Sequence, residues 1–228
     1  MNAQLAAEPL TRSVEDYLKA IYRLSRGTGT VSTSEIAEHL SLSAPSVSGM
    51  IRRLSEQGLL EHEPYRGVEL TGAGRRIALR MVRRHRLIEA YLVEFLGYSW
   101  DTVHDEAERL EHAVTDALIE RMAAALGNPR FDPHGDPIPT AEGSIDELAY
   151  TPLSEVPIGV AAEIRRVDTS QPDRLRFLEQ QGLKPGVRIT VIGRQPFQGP
   201  LTLELGTGEQ VLGHELAQQV LCVRTEAR

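Results

Sequence analysis

Cysteine is almost missing from this chain: Cys222 stands alone in 228 residues. One thiol excludes an internal disulfide framework and any all-cysteine metal site. Tryptophan also occurs once, and aromatic residues make up only 5% of the chain. No apolar run approaches the ~18 residues of a membrane span. No basic segment followed by an apolar one marks a secretory signal, so a cytoplasmic location is expected. A glycine-rich phosphate loop is lacking, and no Ser/His/Asp order stands out. Internal repeats and low-complexity tracts are lacking too. What is present is an ordinary globular composition, 41% hydrophobic and 25% charged, long enough for one large domain or two to three small ones.

Positive charge is scarce overall but unevenly placed. Lys and Arg number 25 against 32 Asp and Glu, for a net charge of −7. Between Arg12 and Arg86, 13 basic residues face 8 acidic ones, whereas from Leu87 to Arg228 the balance is 12 against 23. A basic front and an acidic rear point to an anionic partner for one and cations for the other.

Residues 1–12 read as a loose start. Ser13 reads as an N-cap for a helix over Val14–Arg26, with Val14, Tyr17, Leu18 and Ile21 in helical rhythm. Thr33 or Ser34 then caps a short helix, and a third opens with Pro45 in its first turn, where a missing N–H costs little. Val47, Met50, Ile51 and Leu54 form its inner face, and Gly58 ends it. Leu59 to Leu70 reads as a β-hairpin turning at Tyr65-Arg66-Gly67. Thr71 caps a long helix reaching Leu96, and another is expected from Trp100 to Leu126. Gly127–Pro139 reads as a rigid loop and Gly143–Pro157 as a linker. Beyond it, β-like segments at Val160–Val167, Arg188–Ile192, Leu201–Leu205 and Val220–Val223, with a short helix near Asp173–Gln181, suit a small β-barrel.

Helix, helix, tight break, helix and two-stranded wing is the order of a winged helix-turn-helix. In the third helix Ser43, Pro45, Ser46, Ser48 and Gly49 are small or slim, so the backbone can approach phosphates and base edges. Arg52, Arg53 and Arg66 at the wing tip are placed for phosphates. No Asn or Gln sits early enough for a bidentate adenine contact, so DNA shape is expected to help specificity.

The strongest local signal lies further on. His104, Glu108, Glu111 and His112 are spaced 0, 4, 7 and 8, which on one helix puts them on a stripe about 100° wide. Two imidazoles and two carboxylates on one stripe form a ligand set for a divalent cation. The preceding helix offers another i, i+4 pair, His85 and Glu89. His39, His62, His134 and His214 are isolated; His134, in its stiff loop, is the least clear of them.

Several segments together carry a family resemblance: Val14-Glu15-Asp16-Tyr17-Leu18-Lys19-Ala20-Ile21-Tyr22, Met81-Val82-Arg83-Arg84-His85-Arg86-Leu87, Val103-His104-Asp105-Glu106-Ala107 with Glu111-His112, and the Asp136-Pro137-Ile138-Pro139 loop. The chain resembles the diphtheria toxin repressor family of metal-dependent transcriptional regulators. The resemblance implies a mostly α fold with a small β domain: a winged helix-turn-helix DNA-binding domain over 1–73, a helical metal-binding and dimerisation domain over 74–142, a linker over 143–157 and an SH3-like (FeoA-like) β-barrel over 158–228. It implies a regulatory metal site from Asp16, Glu108, Glu111 and His112. An ancillary site would take His85, Glu89 and His104, with Gln171 as a third-domain candidate. It also implies a homodimer on double-stranded palindromic operator DNA, with no membrane partner and no small organic substrate.

Where iron-type members of the family carry Met and Cys, this chain has Asp16 and Glu108, as in the manganese-type branch. Hard oxygens suit Mn²⁺. Fe²⁺ is the alternative, and Zn²⁺, Co²⁺ or Cd²⁺ are expected to substitute in vitro. One turn after Asp16, two-domain manganese regulators have a further carboxylate, but here stands Lys19, so their closely paired metal arrangement is not implied. A metal-dependent hydrolase and an organic-ligand-responsive repressor are the competing classes. The first is disfavoured by a ligand shell already filled from the protein; the second would need no paired metal stripe.

Overall fold

The computed structural model describes residues 11–25, 29–63, 66–146 and 148–225. By contacts the chain forms two units, Met1–Arg84 with Pro139–Ile145, and His85–Ile138 with Asp146–Arg228.

In the first unit, α1 (Arg12–Leu24) buries Val14, Leu18 and Ile21, the apolar rhythm of the sequence. The second helix, α2 (Thr33–Leu40), is capped one residue earlier than its sequence suggests. Ser32 accepts from the Glu35 backbone N–H while the Glu35 carboxylate accepts from the Ser32 N–H. This reciprocal box satisfies two end donors together, which neither Thr33 nor Ser34 offers. Ser41 turns the chain at φ 53° into α3 (Ala44–Glu56), capped by Ser43 and with Pro45 in its first turn. Ile36, Val47, Ile51 and Leu54 are sealed in the core between these helices, each side chain contributing about 1.5–3 kcal/mol of burial.

The hairpin β1 (Leu60–Glu63) and β2 (Gly67–Leu70) is antiparallel, with Leu60 opposite Leu70 and Glu63 opposite Gly67. Pro64 and Tyr65, part of the expected turn, lie outside the described residues, as do residues 1–10 of the expected loose start. Val31 adds a bridge to Val68. A Cβ on Gly67, which has φ +105°, would stand 2.7 Å from the Val31 carbonyl oxygen, so glycine is required there. Thr71 caps α4 (Gly72–Leu96) by accepting from the Gly74 N–H at 3.2 Å.

The continuous helix expected from Trp100 to Leu126 is two helices, α5 (Val103–Leu110) and α6 (Asp116–Ala125). Glu111 is the C-cap of α5, and the Thr115 hydroxyl accepts from Leu118 N–H to start α6. A capping hydroxyl in mid-pattern ends one helix and begins the next. Leu87, Ile88, Leu92, Val103, Ala107 and Ile119 form their common core.

The rest of the second unit is a six-stranded antiparallel sheet of order β3-β8-β4-β5-β6-β7. Its elements are β3 (Thr151–Pro152), β4 (Ala161–Val167), α7 (Pro172–Gln180), β5 (Arg188–Arg194), β6 (Leu201–Leu205), β7 (Gly208–Leu212), α8 (His214–Gln219) and β8 (Val220–Arg224). The segment expected to be a linker takes part in this domain. Thr151 and Pro152 pair with β8, and Leu153 and Val156 are fully buried in the barrel core. Two apolar side chains four residues or fewer apart draw it inward. Trp100, from between α4 and α5, is also part of that core.

Candidate metal centre and nucleic-acid interface

α3 buries one face and leaves Ser43, Pro45, Ser46, Ser48, Gly49, Arg52 and Arg53 exposed. The hydroxyls are partly committed within the helix. Ser43 Oγ lies 2.9 Å from Ser46 Oγ and accepts from its N–H, and Ser48 Oγ donates to the Ala44 carbonyl at 2.9 Å. Gly49 has no atom within 4 Å of where a Cβ would stand. Arg66, 79% exposed, pairs with Glu63 at 3.0 Å across the wing. A helix with one free face of small residues followed by two guanidinium groups, beside a wing that carries Arg66, matches a major groove in shape. In the same unit Asp16 lies on α1, its side chain 34% exposed and 3.8 Å from Arg12.

The metal-capable residues of the second unit gather in the second half of α4, in α5 and the turn after it, and in the loop before Pro139. With α5 ending at Leu110, only His104 and Glu108 share a helical stripe. Glu111 and His112 follow in the turn, so the single-helix stripe read from the spacing is corrected. The residues still converge. His85 Nε2, His104 Nδ1 and Glu89 Oε1 form a triangle with every side 3.0 Å. An octahedron with bonds of about 2.1 Å has edges of about 3.0 Å, so this triangle fits one face of a hexacoordinate cation. Glu108 stands beside it, Oε1 3.8 Å from His104 Nε2 and 3.9 Å from His85 Nδ1. His85, His104 and Glu108 form one metal-capable group. On its other side His85 Nδ1 meets Glu111 Oε2 at 2.7 Å, and Glu111 Oε1 lies 3.4 Å from His112 Nε2.

A second group, Glu89, Asp132 and His134, is buried throughout. Sequence reasoning left His134 open and passed over Asp132. The signal was the Asp132-Pro133-His134 spacing in a stiff loop, but its partner Glu89 is 43 positions away, and only the fold joins them. His134 Nε2 donates to the Trp100 carbonyl at 2.7 Å. A carbonyl can only accept, so in the neutral ring Nδ1 keeps its lone pair, and it lies 4.0 Å from Glu89 Oε2. Burial pushes the Glu89 carboxyl up, but the charges of His85 and His134 and hydrogen bonds from His104 and His85 outweigh it, leaving it well below the usual carboxylate range. Asp132 goes the other way. Burial, then the charges of Asp136 and Glu89, hold it well above that range against the pull of Arg86. A divalent cation would relieve the carboxylate crowding directly.

Gln171 precedes α7 as its N-cap and is exposed, outside both groups. Arg174 is paired with Glu215 at 2.6 Å. Cys222 is buried in the barrel core, its thiol pushed up to about 12 by burial, and behaves as a small hydrophobe.

A winged helix with a free reading face, in a chain that also carries imidazole–carboxylate clusters, defines a metal-responsive DNA-binding regulator. Family models match the described parts in order. The iron dependent repressor N-terminal DNA binding domain matches residues 9–68, its metal binding and dimerisation domain 71–140, and the FeoA domain 151–224. The chain is 34% identical over 223 residues to the iron-dependent repressor IdeR of Mycobacterium tuberculosis (strain ATCC 25618 / H37Rv), covering 92% of this chain and 96% of that one. Among solved structures, a manganese-dependent transcriptional repressor in complex with manganese superposes with a TM-score of 0.87 at 42% identity, over 93% of this chain and all of that one. The manganese regulator SloR gives 0.74 at 34%, over 95% and 100%. The chain belongs to the iron-dependent repressor family, that of IdeR and the diphtheria toxin repressor. It is a metal-dependent transcriptional repressor with an operator-DNA-binding domain, a dimerisation domain and an SH3-like C-terminal domain, and it is not an enzyme. Among the described residues, no helix is long and apolar enough to cross a membrane.

Proposed function

We propose that this repressor is activated by Mn²⁺ and controls genes of metal-ion homeostasis from the cytoplasm, on a palindromic operator. The observation that carries the metal is the donor chemistry. The convergent ligands are imidazoles and carboxylates, and the one thiol, Cys222, is buried in the barrel. Hard oxygen donors suit Mn²⁺, whereas sulfur would favour softer ions. The likeness to a manganese-dependent repressor supports the same choice. Fe²⁺ is the second reading, supported by the iron-dependent repressor IdeR.

In this reading Asp16 supplies the oxygen that joins Glu108, Glu111 and His112 in the regulatory site, while His85, Glu89 and His104 make the ancillary one. Asp132 and His134, with Glu89, make a further cation site. A bound cation supplies positive charge that turns carboxylate repulsion into attraction. The chain's own part is to hold α1 through Asp16 to the dimerising helices. Phe95, Leu96 and Leu118, exposed apolar residues of α4 and α6, form part of the dimer seam. Fixing α1 in both protomers fixes the separation of two reading helices, and a palindromic operator requires about 34 Å or a multiple. Metal and DNA then favour one conformation, so each tightens the other.

The test uses the full-length protein and duplexes selected from a randomised pool in the presence of Mn²⁺. Binding is titrated with Mn²⁺, with anaerobic Fe²⁺, with Zn²⁺ and with chelator. Mn²⁺ is expected to switch on binding at the lowest free concentration within its cellular range. Binding unaffected by chelator would defeat metal activation, and a response to Fe²⁺ alone would select the second reading.

A further inference from the structure

From Gly72 to Arg86, α4 carries six arginines and no acidic residue, in a chain whose net charge is −7. Four of them have partners. Arg75 lies over the Tyr22 ring, 5.3 Å from its centroid. Arg83 Nη1 donates to the Pro139 carbonyl at 2.9 Å, Arg84 Nη1 to the Met81 sulfur at 3.8 Å, and Arg86 Nη2 to Asp136 at 3.0 Å. Arg76 and Arg80 are exposed, and neither makes a hydrogen bond or ion pair among the described residues.

At about 100° per residue Arg76, Arg80 and Arg83 fall within about 60° of one another, so α4 presents one line of guanidinium groups. Like charges at i, i+4 oppose helix formation, and the fold takes no polar contact from Arg76 or Arg80 in return. The segment Pro139–Ile145 runs beside this line. Pro139 holds Arg83, a Cβ on Gly143 would stand 3.8 Å from Arg76 Cγ, and Ile145 packs on the core of the unit. The segment's one acid, Glu142, is engaged by its own backbone and by Thr140, which hold its carboxyl below the usual range with Arg83 adding to them.

The line also starts where the reading helix ends. Thr71 Oγ1 donates to the Gly58 carbonyl at 2.8 Å, just past α3, and a Cβ on Gly74 would stand 1.9 Å from the Leu59 carbonyl oxygen. Helical side chains lean toward the N-terminus. Arg76 does so, its Nη1 3.8 Å from where a Cβ on Gly72 would stand. Arg80 lies about 9 Å along the axis from Gly74, roughly two to three base-pair steps of about 3.4 Å.

We propose that Arg76 and Arg80 form a second phosphate clamp of the DNA-binding unit, gripping the backbone that flanks the bases met by α3 and adding affinity without sequence preference. The planar fork of a guanidinium matches a phosphate, and phosphate contacts position a protein without reading sequence. The clamp rests on the reading of α3 as the helix that meets the bases.

The experiment uses the full-length protein with saturating Mn²⁺ and three duplexes: a selected one trimmed to its palindrome, the same one extended by about ten base pairs, one helical turn, at each end, and a random one of the longer length. In anisotropy titrations at several salt concentrations, Arg76→Ala/Arg80→Ala is expected to weaken both long duplexes tenfold or more and the trimmed one less. The slope of log affinity against log salt is expected to fall by about 0.9 for each phosphate released, two per protomer. Its melting temperature stays at or above that of the parent, because a like-charge pair is gone. Arg76→Gln/Arg80→Gln repeats the test with side-chain bulk kept. Arg188→Ala/Arg224→Ala, which removes two exposed charges from the barrel, is expected to leave slope and affinity unchanged. An unchanged slope in both α4 pairs would overturn the clamp, as would an equal loss in the barrel pair or an equal loss on the trimmed duplex. A parent chain that does not prefer the selected duplex to the random one would defeat the α3 reading itself, and the clamp with it.

Discussion

His85 Nδ1 and Glu111 Oε2 stand 2.7 Å apart, at 2% and 0% exposure. The other nitrogen of the same ring is a corner of the triangle with Glu89 and His104. One imidazole thus touches both halves of the metal centre, and its Nδ1–H donated to Glu111 leaves Nε2 as a ligand. Replacing it removes a partner from a fully buried carboxylate, a change that costs about 3–5 kcal/mol in buried ion pairs. His85→Ala is expected to lower the unfolding free energy of the metal-free protein by about this much, read from urea denaturation. It is also expected to weaken Mn²⁺ about 10–100-fold, read by titration. Stability and affinity both within error of the parent would show that the ring is a bystander.

Asp16 tests the regulatory link separately, because it lies on α1 of the DNA-binding unit. Asp16→Ala is expected to abolish metal-stimulated operator binding while the dimer stays folded. Size-exclusion chromatography checks the dimer, and fluorescence anisotropy with a selected duplex checks binding. An unchanged metal dependence in this variant would remove Asp16 from the pathway.

The displaced acidities at Glu89 and Asp132 give a pH dependence with a definite sign. Asp132 is held above its ordinary range, first by burial, so the folded state holds this proton where the unfolded chain, near 3.9, has lost it. Its contribution to metal-free stability therefore falls as pH rises from about 4 toward the raised value. Glu89 is depressed, so its contribution is present above about 4.3 and is lost as pH falls through its lowered value. A cation must displace the Asp132 proton, so Mn²⁺ binding here is expected to tighten with rising pH and to release protons. Titration calorimetry in two buffers of different ionisation enthalpy measures the release, and Asp132→Asn should remove it. Identical apparent enthalpies in both buffers for the parent protein would contradict the mechanism.

How much of this was legible in the sequence follows from the range of each interaction. The winged helix is built from local periodicity and caps, so α3, the hairpin and the Thr71 cap of α4 stand where residue patterns put them, while α1 begins at Arg12 after Thr11 and takes the expected Ser13 cap inside the helix. Spacing also brought out His85, Glu89, His104 and Glu108. The break after Leu110 was hidden because Glu111, His112 and Thr115 sit in an unbroken helical rhythm, and only the Thr115 cap decides between one helix and two. The Asp132–His134 pair was hidden for a different reason. Its meaning depends on Glu89 and on Trp100, and contacts across tens of residues leave no period to read. The edge strand β7 and the short helix α8 lack a strong pattern of either kind and emerge only from pairing with β6 and from the barrel core.

Gly49 offers the sharpest check on the reading helix. At 100° per residue it lies roughly 140–160° away from Val47, Ile51 and Leu54, the buried residues of α3, so it is near the helix's outermost line. Nothing in the fold approaches it, and a mid-helix glycine costs about 0.5–1 kcal/mol relative to alanine. The chain gains nothing internally from that loss, whereas close approach to a base edge does require a missing side chain. Gly49→Ala is therefore expected to raise the melting temperature by a few degrees, about 2–4 °C per kcal/mol for a chain of this size, and to weaken the selected duplex about tenfold. Arg52→Ala, by contrast, is expected to weaken selected and random duplexes alike and to lower the slope of log affinity against log salt by about 0.9, the signature of one lost phosphate contact. Differential scanning calorimetry and anisotropy titrations at several salt concentrations separate the two. A Gly49→Ala protein that is more stable and binds its operator undiminished would mean that α3 meets the groove through another face.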